Sequence, residues 1–471
     1  MTRVLLVATY ELGHQPGNLA RPAAQLVAAG HDVRTIDTSV EPWDPSLVQW
    51  ADAVAVSVPM HTATRLAREV LASVEAPTCC YGLYAHLCGD IADRVISGEY
   101  EDALVAWAGD LRPLPRDPSP GGHRDDPGHR PGRAVATVEL GRARSEAAPL
   151  PRRGSLPPLT RYAHLIVGDE MVGEEARLAA SVETTRGCAH RCRHCPVPVV
   201  YDGRVRVQDE AAVLDDVAQL VAAGATHLSF GDPDFLNAPA HAMRIVHAVN
   251  SAHPDVTFDA TVKVEHILRH HDLWAELAAR GCLFVVSAFE SVDDATLDRL
   301  DKGHTAADMA EAVGVLRADG IEIRPSFLPF TPWTTRDQLI ALLEFVVEHD
   351  LVGNVDPVQY TIRLLLPPGS LLLDHPDMTP HLLPHEGDLL SYGWRNPNPE
   401  VDELQRELAA TVEALTGREA PTPLVYEEVR SIVGAPPVDL STVTTGRPRL
   451  SESWFCCAEP TALQRSAVQL S

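Results

Sequence analysis

The chain has 471 residues, 45% of them hydrophobic, and a formal net charge of −26 at pH 7. That length calls for two or three domains with real cores. So acidic a chain argues against tRNA or DNA as a partner and favours a small molecule, while the absence of a long apolar run excludes a membrane span.

The N-terminal run Val4–Ala8 is a strand rather than a signal peptide. Residues 1–110 then alternate: helix Leu19–Ala29, strand His31–Asp37, strand Ala53–Val58, helix His61–Val74, strand Pro77–Leu83 and a further helix. This pattern predicts a doubly wound parallel sheet, with any ligand at the carboxyl ends of the strands. Those ends carry Tyr10–His14, Ser57–Thr62 and Tyr81–Tyr84. No G-x-G-x-x-G or P-loop accompanies them, so a dinucleotide or nucleotide triphosphate is not indicated. Cys79, Cys80 and Cys88 near the fourth strand read as packed cysteines. Residues 111–176, dense in Pro, Gly, Arg and Asp, read as a linker.

Residues 177–370 hold a second α/β series. Strand Val182–Arg186 leads into Gly187-Cys188-Ala-His-Arg-Cys192-Arg-His-Cys195, a C-x3-C-x2-C spacing. Thiolates hold iron–sulfur clusters, and three on one tight loop can bind three irons of a [4Fe–4S] cube while leaving the fourth open. A zinc loop would need a fourth ligand at short spacing, for which only His190 and His194, inside the loop itself, are at hand. Strands Thr226–Phe230, Val256–Val262, Leu283–Ala288, Ile321–Leu328 and Val358–Leu364 follow. They alternate with helices Glu210–Ala223, Pro239–Ser251, Ile267–Arg280, Thr305–Ala318 and Arg336–Glu348. Six such repeats predict a partial (β/α)6 barrel with its chemistry at the carboxyl ends of the strands. Those ends supply Gly231 and Asp232, then Lys263 and Glu265, then Glu290 and Ser291, with Arg324 and Arg363 on the last two strands. For both arginines a salt bridge at the barrel mouth is the alternative reading.

Lys263 and Lys302 are the only two lysines among 39 basic residues. Where Arg serves for every diffuse charge, a retained Lys points to a need for a compact ammonium; Lys263 is expected at the active-site mouth. Residues 371–471 form a C-terminal extension with one clear helix, Val401–Leu415, and end in Ser451-Glu-Ser-Trp-Phe-Cys456-Cys457-Ala-Glu-Pro460. Adjacent cysteines close only a strained disulfide, and reduced they offer two soft thiolates side by side.

The cysteine loop resembles that of the radical S-adenosylmethionine (SAM) superfamily. The resemblance implies that SAM chelates the open iron and that one electron cleaves it to a 5′-deoxyadenosyl radical. It also implies that Gly231 and Asp232 hold the SAM amino group, and that Glu290 and Ser291 contact its ribose or carboxylate; Arg324 on the fifth strand is a further cofactor-binding candidate. His194 stands where an aromatic residue packs near adenine. The N-terminal domain resembles the flavodoxin-like cobalamin-binding domains of one branch. Of their D-x-H-x-x-G motif only His14-x-x-Gly17 is present, with Leu12 in place of the aspartate that would orient an axial imidazole. The ending, with Val-Lys-Val-Glu-His and Phe-Glu-Ser-Val-Asp-Asp, resembles the CUAEP/CCAEP-tail radical SAM (seleno)proteins, in which selenocysteine can stand at the position of Cys457.

These features lead to the expectation of a cytoplasmic radical SAM enzyme served by a flavodoxin- or ferredoxin-type electron donor. Its chemistry would be methyl or alkyl transfer to a small molecule, through cobalamin where the domain binds one, with Lys263, Cys456 and Cys457 as catalytic candidates. Two rival readings are alkylation of a thiophilic metalloid such as arsenic on the tail thiols, and an iron–sulfur redox or metal sensor.

Overall fold

Runs of Val, Leu and Ala whose side chains are all buried form the central strands of the N-terminal unit, as a sheet covered on both faces requires. The structure, a computed structural model, describes residues 1–111, 136–139, 149–168, 177–384, 390–441 and 443–452. The chain divides into two compact units, the first covering Met1–Tyr162 and the second beginning at Ala163.

In the first unit, β1 (Arg3–Ala8), β2 (Asp32–Asp37), β3 (Ala53–Ser57), β4 (Thr78–Tyr81), β5 (Arg94–Gly98) and β6 (Ala136–Glu139) form one parallel sheet. Its order is β2-β1-β3-β4-β5-β6, the flavodoxin-like order with one strand added. The expected doubly wound sheet is therefore present. The sequence pattern missed β5, which opens on Arg and closes on Ser-Gly. It also drew the linker too broadly. Arg152 N–H donates to Ala20 O at 2.9 Å, the Arg153 guanidinium is buried against Gln15 O at 3.1 Å, and Tyr162 donates to Asp37 at 2.9 Å. Residues 149–162 are thus a strap tied to this unit. Burial pushes the Asp37 carboxyl up from its ordinary value, opposed by its hydrogen bonds to Ser39 and Tyr162.

In the second unit, β7 (His164–Ile166) and β8 (Arg177–Val182) precede a short antiparallel ribbon of β9 (Thr185–Gly187) and β10 (Val205–Val207). Then come β11 (His227–Phe230), β12 (Thr257–Thr261), β13 (Cys282–Glu290), β14 (Glu322–Phe327) and β15 (Arg449–Leu450), giving a sheet of order β14-β13-β12-β11-β8-β7-β15. The five strands β8 and β11–β14 run parallel as a partial barrel, and β7 and β15 extend one edge antiparallel.

Three expectations are corrected here. The first barrel strand is Arg177–Val182, not Val182–Arg186, and the latter stretch turns out into the ribbon. The sixth strand shrinks to a single parallel bridge, Phe330 to Arg363, because Pro357 opens a 3-10 turn and cannot donate to a ladder. Helix Ile267–Arg280 is broken into Val264–Arg269 and Trp274–Ala279 by a 3-10 turn at His271–Leu273. Helices Ala306–Ala318 and Arg336–Glu348 begin at capping boxes, Thr305 with Asp308 and Thr335 with Gln338, which fixes their starts. Among the described residues the C-terminal extension holds two α-helices, Pro399–Thr416 and Thr422–Val433.

Gly82, just after β4, has φ +114°, and a Cβ there would lie 2.9 Å from Val58 O. Gly82→Ala is expected to destabilise the first unit by about 1–3 kcal/mol, read as a lowered urea midpoint. An unchanged midpoint would show that the turn relaxes freely.

Candidate active site

The cysteine loop begins where Gly187 ends β9 with φ +75°. A Cβ at Gly187 would lie 2.2 Å from Arg204 O and 2.8 Å from the Tyr201 ring, so only glycine lets the ribbon and the following helix, Val197–Tyr201, pack this closely. Cys188 and Cys192 are buried and Cys195 is half-buried, and none is in a disulfide. Burial raises the Cys188 thiol pKa, opposed by hydrogen bonding with the His190 backbone and with Asn237.

Arg193 rivets the loop. Its N–H donates to Leu300 O and its guanidinium to Asp298 O and Arg299 O, each at 2.9 Å. Its carbonyl accepts from Leu372 N–H at 3.1 Å and from the Ser370 hydroxyl at 3.2 Å.

Asp232, expected to accept the SAM ammonium, is bound within the fold. Its buried carboxylate accepts from the backbone N–H and hydroxyl of Thr184, at 3.1 and 3.0 Å, from the Thr185 hydroxyl at 2.6 Å and from Thr185 N–H. It is a clasp on the segment that leads into the ribbon. Burial pushes its pKa up to about 6 despite those four donors. Gly231 permits the close approach, since a Cβ there would meet Ser181 Oγ at 3.0 Å.

Glu290 ends β13 in the left-handed region, φ +64°, which an L side chain adopts only when the surroundings impose it. Its Oε1 accepts from the Lys302 ammonium at 3.1 Å and lies 3.1 Å from His194 Nε2 on the cysteine loop. All three side chains are largely or wholly buried. Burial disfavours the Glu290 charge, but Lys302 and His194 outweigh it and hold the carboxyl well below the usual range. Burial likewise disfavours the Lys302 ammonium, but Glu290 and the thiols of Cys192 and Cys195 raise its pKa. A buried cation is thus near enough to two of the three cysteines to act on them electrostatically. This setting fits a cluster held by three thiolates, whose negative charge needs compensation away from water.

The other expected residues lie as follows. The Ser291 hydroxyl accepts from Asp293 N–H at 3.1 Å and shapes the start of helix Asp294–Leu300. Arg324 pairs with Asp356 at 2.6 Å, and Arg363 pairs with Asp402 at 2.5 Å and stacks on Trp394, so both take the salt-bridge reading. Lys263 is buried at the head of helix Val264–Arg269, 3.7 Å from Glu265. Cys456 and Cys457 lie outside the described residues. Lys302 itself was marked in the sequence by the scarcity of lysine. His190, Asp234 and His266, which converge beneath the loop, had no such signal. Burial lowers the His190 pKa to about 4, helped by Lys263 and His266.

In the first unit, Leu12 occupies the aspartate position of the half motif with φ +52°, a conformation an Asp tolerates better than a Leu. His14 is buried. At the end of β5 the Ser97 hydroxyl is buried without a hydrogen-bond partner among the described residues, beside Gly98 at φ +83°. An orphaned donor next to a residue without a side chain fits a bound group at this edge.

Residues 182–346 match the model of the Radical SAM superfamily. The chain carries a radical SAM domain. That family is one of enzymes and implies a [4Fe–4S] cluster and SAM as cofactors. An uncharacterized methyltransferase from Pyrococcus horikoshii is 24% identical over 195 residues, which is 41% of either chain. A tRNA-2-methylthio-N(6)-dimethylallyladenosine synthase from Pelodictyon phaeoclathratiforme is 27% identical over 31% of this chain and 34% of its own. The chain thus spans well under half the length of these curated relatives. The cobalamin-dependent SAM radical enzyme OxsB, with aqua-cobalamin bound, superposes with a TM-score of 0.63 at 15% identity, covering 92% of this chain and 70% of OxsB. The radical SAM methyltransferase TsrM from Kitasatospora setae, with cobalamin and a [4Fe–4S] cluster bound, gives 0.52 at 21%, covering 74% and 70%. At these identities the likeness establishes a shared fold. No helix among the described residues is long and apolar enough to cross a membrane.

Lys302→Met leaves the Glu290 carboxylate buried with only His194 beside it, and is expected to cost about 3–5 kcal/mol. The double variant Lys302→Met, Glu290→Gln should recover most of that loss in urea melts. Because folding holds Glu290 below its ordinary range, its contribution is complete above about pH 4.5 and drains away as the pH falls below that. A Glu290→Gln protein should therefore show a weaker pH dependence of stability on the acid side.

Proposed function

We propose that this chain is a radical SAM enzyme that transfers a methyl or alkyl group to a small molecule, with cobalamin as carrier. The observation that carries the reading is the setting of the cysteine loop, three thiols on one loop whose His194 is tied through Glu290 to the buried Lys302 ammonium. A [4Fe–4S] cluster there would supply the electron that cleaves SAM, and a corrin on the first unit would supply the group carrier.

The residues of the chain have the supporting tasks. Cys188, Cys192 and Cys195 hold the cluster. Lys302 balances its charge, and Glu290 fixes both Lys302 and His194. His194 Nδ1, buried without a hydrogen-bond partner among the described residues, would meet bound SAM; Gly231 and Ser291 border the same strand ends. Support for the corrin comes from the strand order, from the orphaned Ser97 hydroxyl at the carboxyl edge, and from the fold shared with OxsB and TsrM. The net charge of −26 supports a small molecule over the tRNA named for one relative. A flavodoxin- or ferredoxin-type protein would deliver the electron. The tail thiols Cys456 and Cys457 would act on the substrate after SAM is cleaved.

Protein reconstituted anaerobically with iron, sulfide and hydroxocobalamin should hold about four irons per chain and retain a corrin spectrum through gel filtration. With SAM and a reductant it should release 5′-deoxyadenosine. Cys188→Ala should lose that activity. Full iron content and turnover in the triple cysteine variant would overturn the cluster assignment, and a corrin-free eluate would overturn the transfer chemistry alone.

A further inference from the structure

Beneath the cysteine loop, three side chains from three elements converge: His190 from the loop, Asp234 from the turn after β11 and His266 from helix Val264–Arg269. One donor atom of each lies within 4.8 Å of the others. Asp234 is fully buried and His266 is 5% exposed. Asp234 Oδ1 is taken by Leu236 N–H at 3.0 Å. Its Oδ2 lies 2.8 Å from His266 Nδ1 and 3.9 Å from His190 Nε2. Yet neither Asp234 Oδ2 nor His266 Nδ1 has a hydrogen-bond partner among the described residues. The two atoms are close but not aligned as donor and acceptor, and buried polar atoms are seldom left in that state. A cation that accepts a lone pair from each would satisfy both. His190 is also supported from behind, its Nδ1 lying 3.6 Å from Glu265 Oε2, while its Nε2 lies 3.3 Å from His266 Nε2. Glu265 is itself bound by Arg269 and lies 3.7 Å from Lys263. A carboxylate behind a histidine is the usual support of a metal-binding imidazole.

We propose that His190, Asp234 and His266 bind one divalent transition-metal ion, separate from the iron held by the cysteines. Two imidazoles and one carboxylate suit iron(II), zinc or cobalt(II), and suit calcium and magnesium poorly. Three protein donors leave positions open for a further ligand. His190 lies between Cys188 and Cys192, so occupancy ties the cysteine loop to helix Val264–Arg269. The inference stands on these side chains and does not depend on the SAM chemistry.

The test uses the full chain with its cluster reconstituted. The protein is dialysed against zinc, chosen because it is redox-inert, then desalted, and both metals are counted. About one zinc per chain is expected beyond about four irons. His266→Ala and Asp234→Asn should each lose the zinc and keep the iron. Glu265→Gln should weaken zinc binding roughly tenfold. Cys456→Ala with Cys457→Ala should keep the zinc, which excludes the tail thiols. On wild-type protein, zinc X-ray absorption should show nitrogen and oxygen donors at about 2.0–2.1 Å and no sulfur at about 2.3 Å. If a variant loses its iron as well, this spectrum decides. Absence of stoichiometric zinc, its retention in both ligand variants, or a sulfur shell would overturn the proposal.

Discussion

Glu290 places a carboxylate inside the barrel mouth, and the geometry around the cysteines depends on how that charge is met. The residue closes β13 where the register with β14 shifts, takes a left-handed backbone conformation, and still has its carbonyl accepting from Leu328 N–H at 2.8 Å. The carboxylate joins three parts of the chain: β13, the loop through His194, and the turn after helix Asp294–Leu300 through Lys302. An exposed ion pair would contribute about 0–1 kcal/mol, whereas breaking a buried one costs several times that. Its burial is therefore what makes this contact decisive. Arg193 and Asp232 add hydrogen bonds from two further directions, so the loop is fixed before any cofactor arrives.

The distribution of cations follows the same logic. Arg153, Arg324, Arg363 and Arg430 are buried or half-buried and spend their planar forks on carbonyls and carboxylates of the fold. That is what a guanidinium does well. The two lysines are both buried beside glutamates, Lys302 at Glu290 and Lys263 at Glu265, and a Cβ on Gly303 would lie 4.0 Å from Lys263 Nζ. A compact ammonium fits where a fork would not. In the first unit the corresponding economy is of volume: Ser97, Gly98 and Gly82 keep the carboxyl edge of the sheet small.

Much of this was legible in the sequence. Three cysteines at C-x3-C-x2-C fall on one loop, as their spacing requires, and buried parallel strands announce themselves as continuous apolar runs. The failures have physical causes. Val182–Arg186 is apolar enough to pass for a barrel strand, but Asp232 pulls Thr184 and Thr185 out of the sheet, and no local pattern reports a clasp made 48 residues away. Val358–Leu364 has the composition of a strand, yet Pro357 removes the donor that would start it. Asp232 was read only as a ligand to SAM and its bonds to Thr184 and Thr185 had no local signal, because a strand-end carboxylate looks the same whether it meets a ligand or a backbone. His190 was seen only as a poor fourth zinc ligand, since Asp234 and His266, 44 and 76 residues on, join it only through the barrel.

The account rests on a cluster whose open iron takes SAM. Electron paramagnetic resonance of the reduced, reconstituted protein tests this directly, with SAM carrying a nitrogen-15 amino group and an oxygen-17 carboxylate. The account predicts a shift of the cluster signal on adding SAM, with hyperfine coupling to both labels. A signal that SAM leaves unchanged, with no coupling to either label, would contradict it.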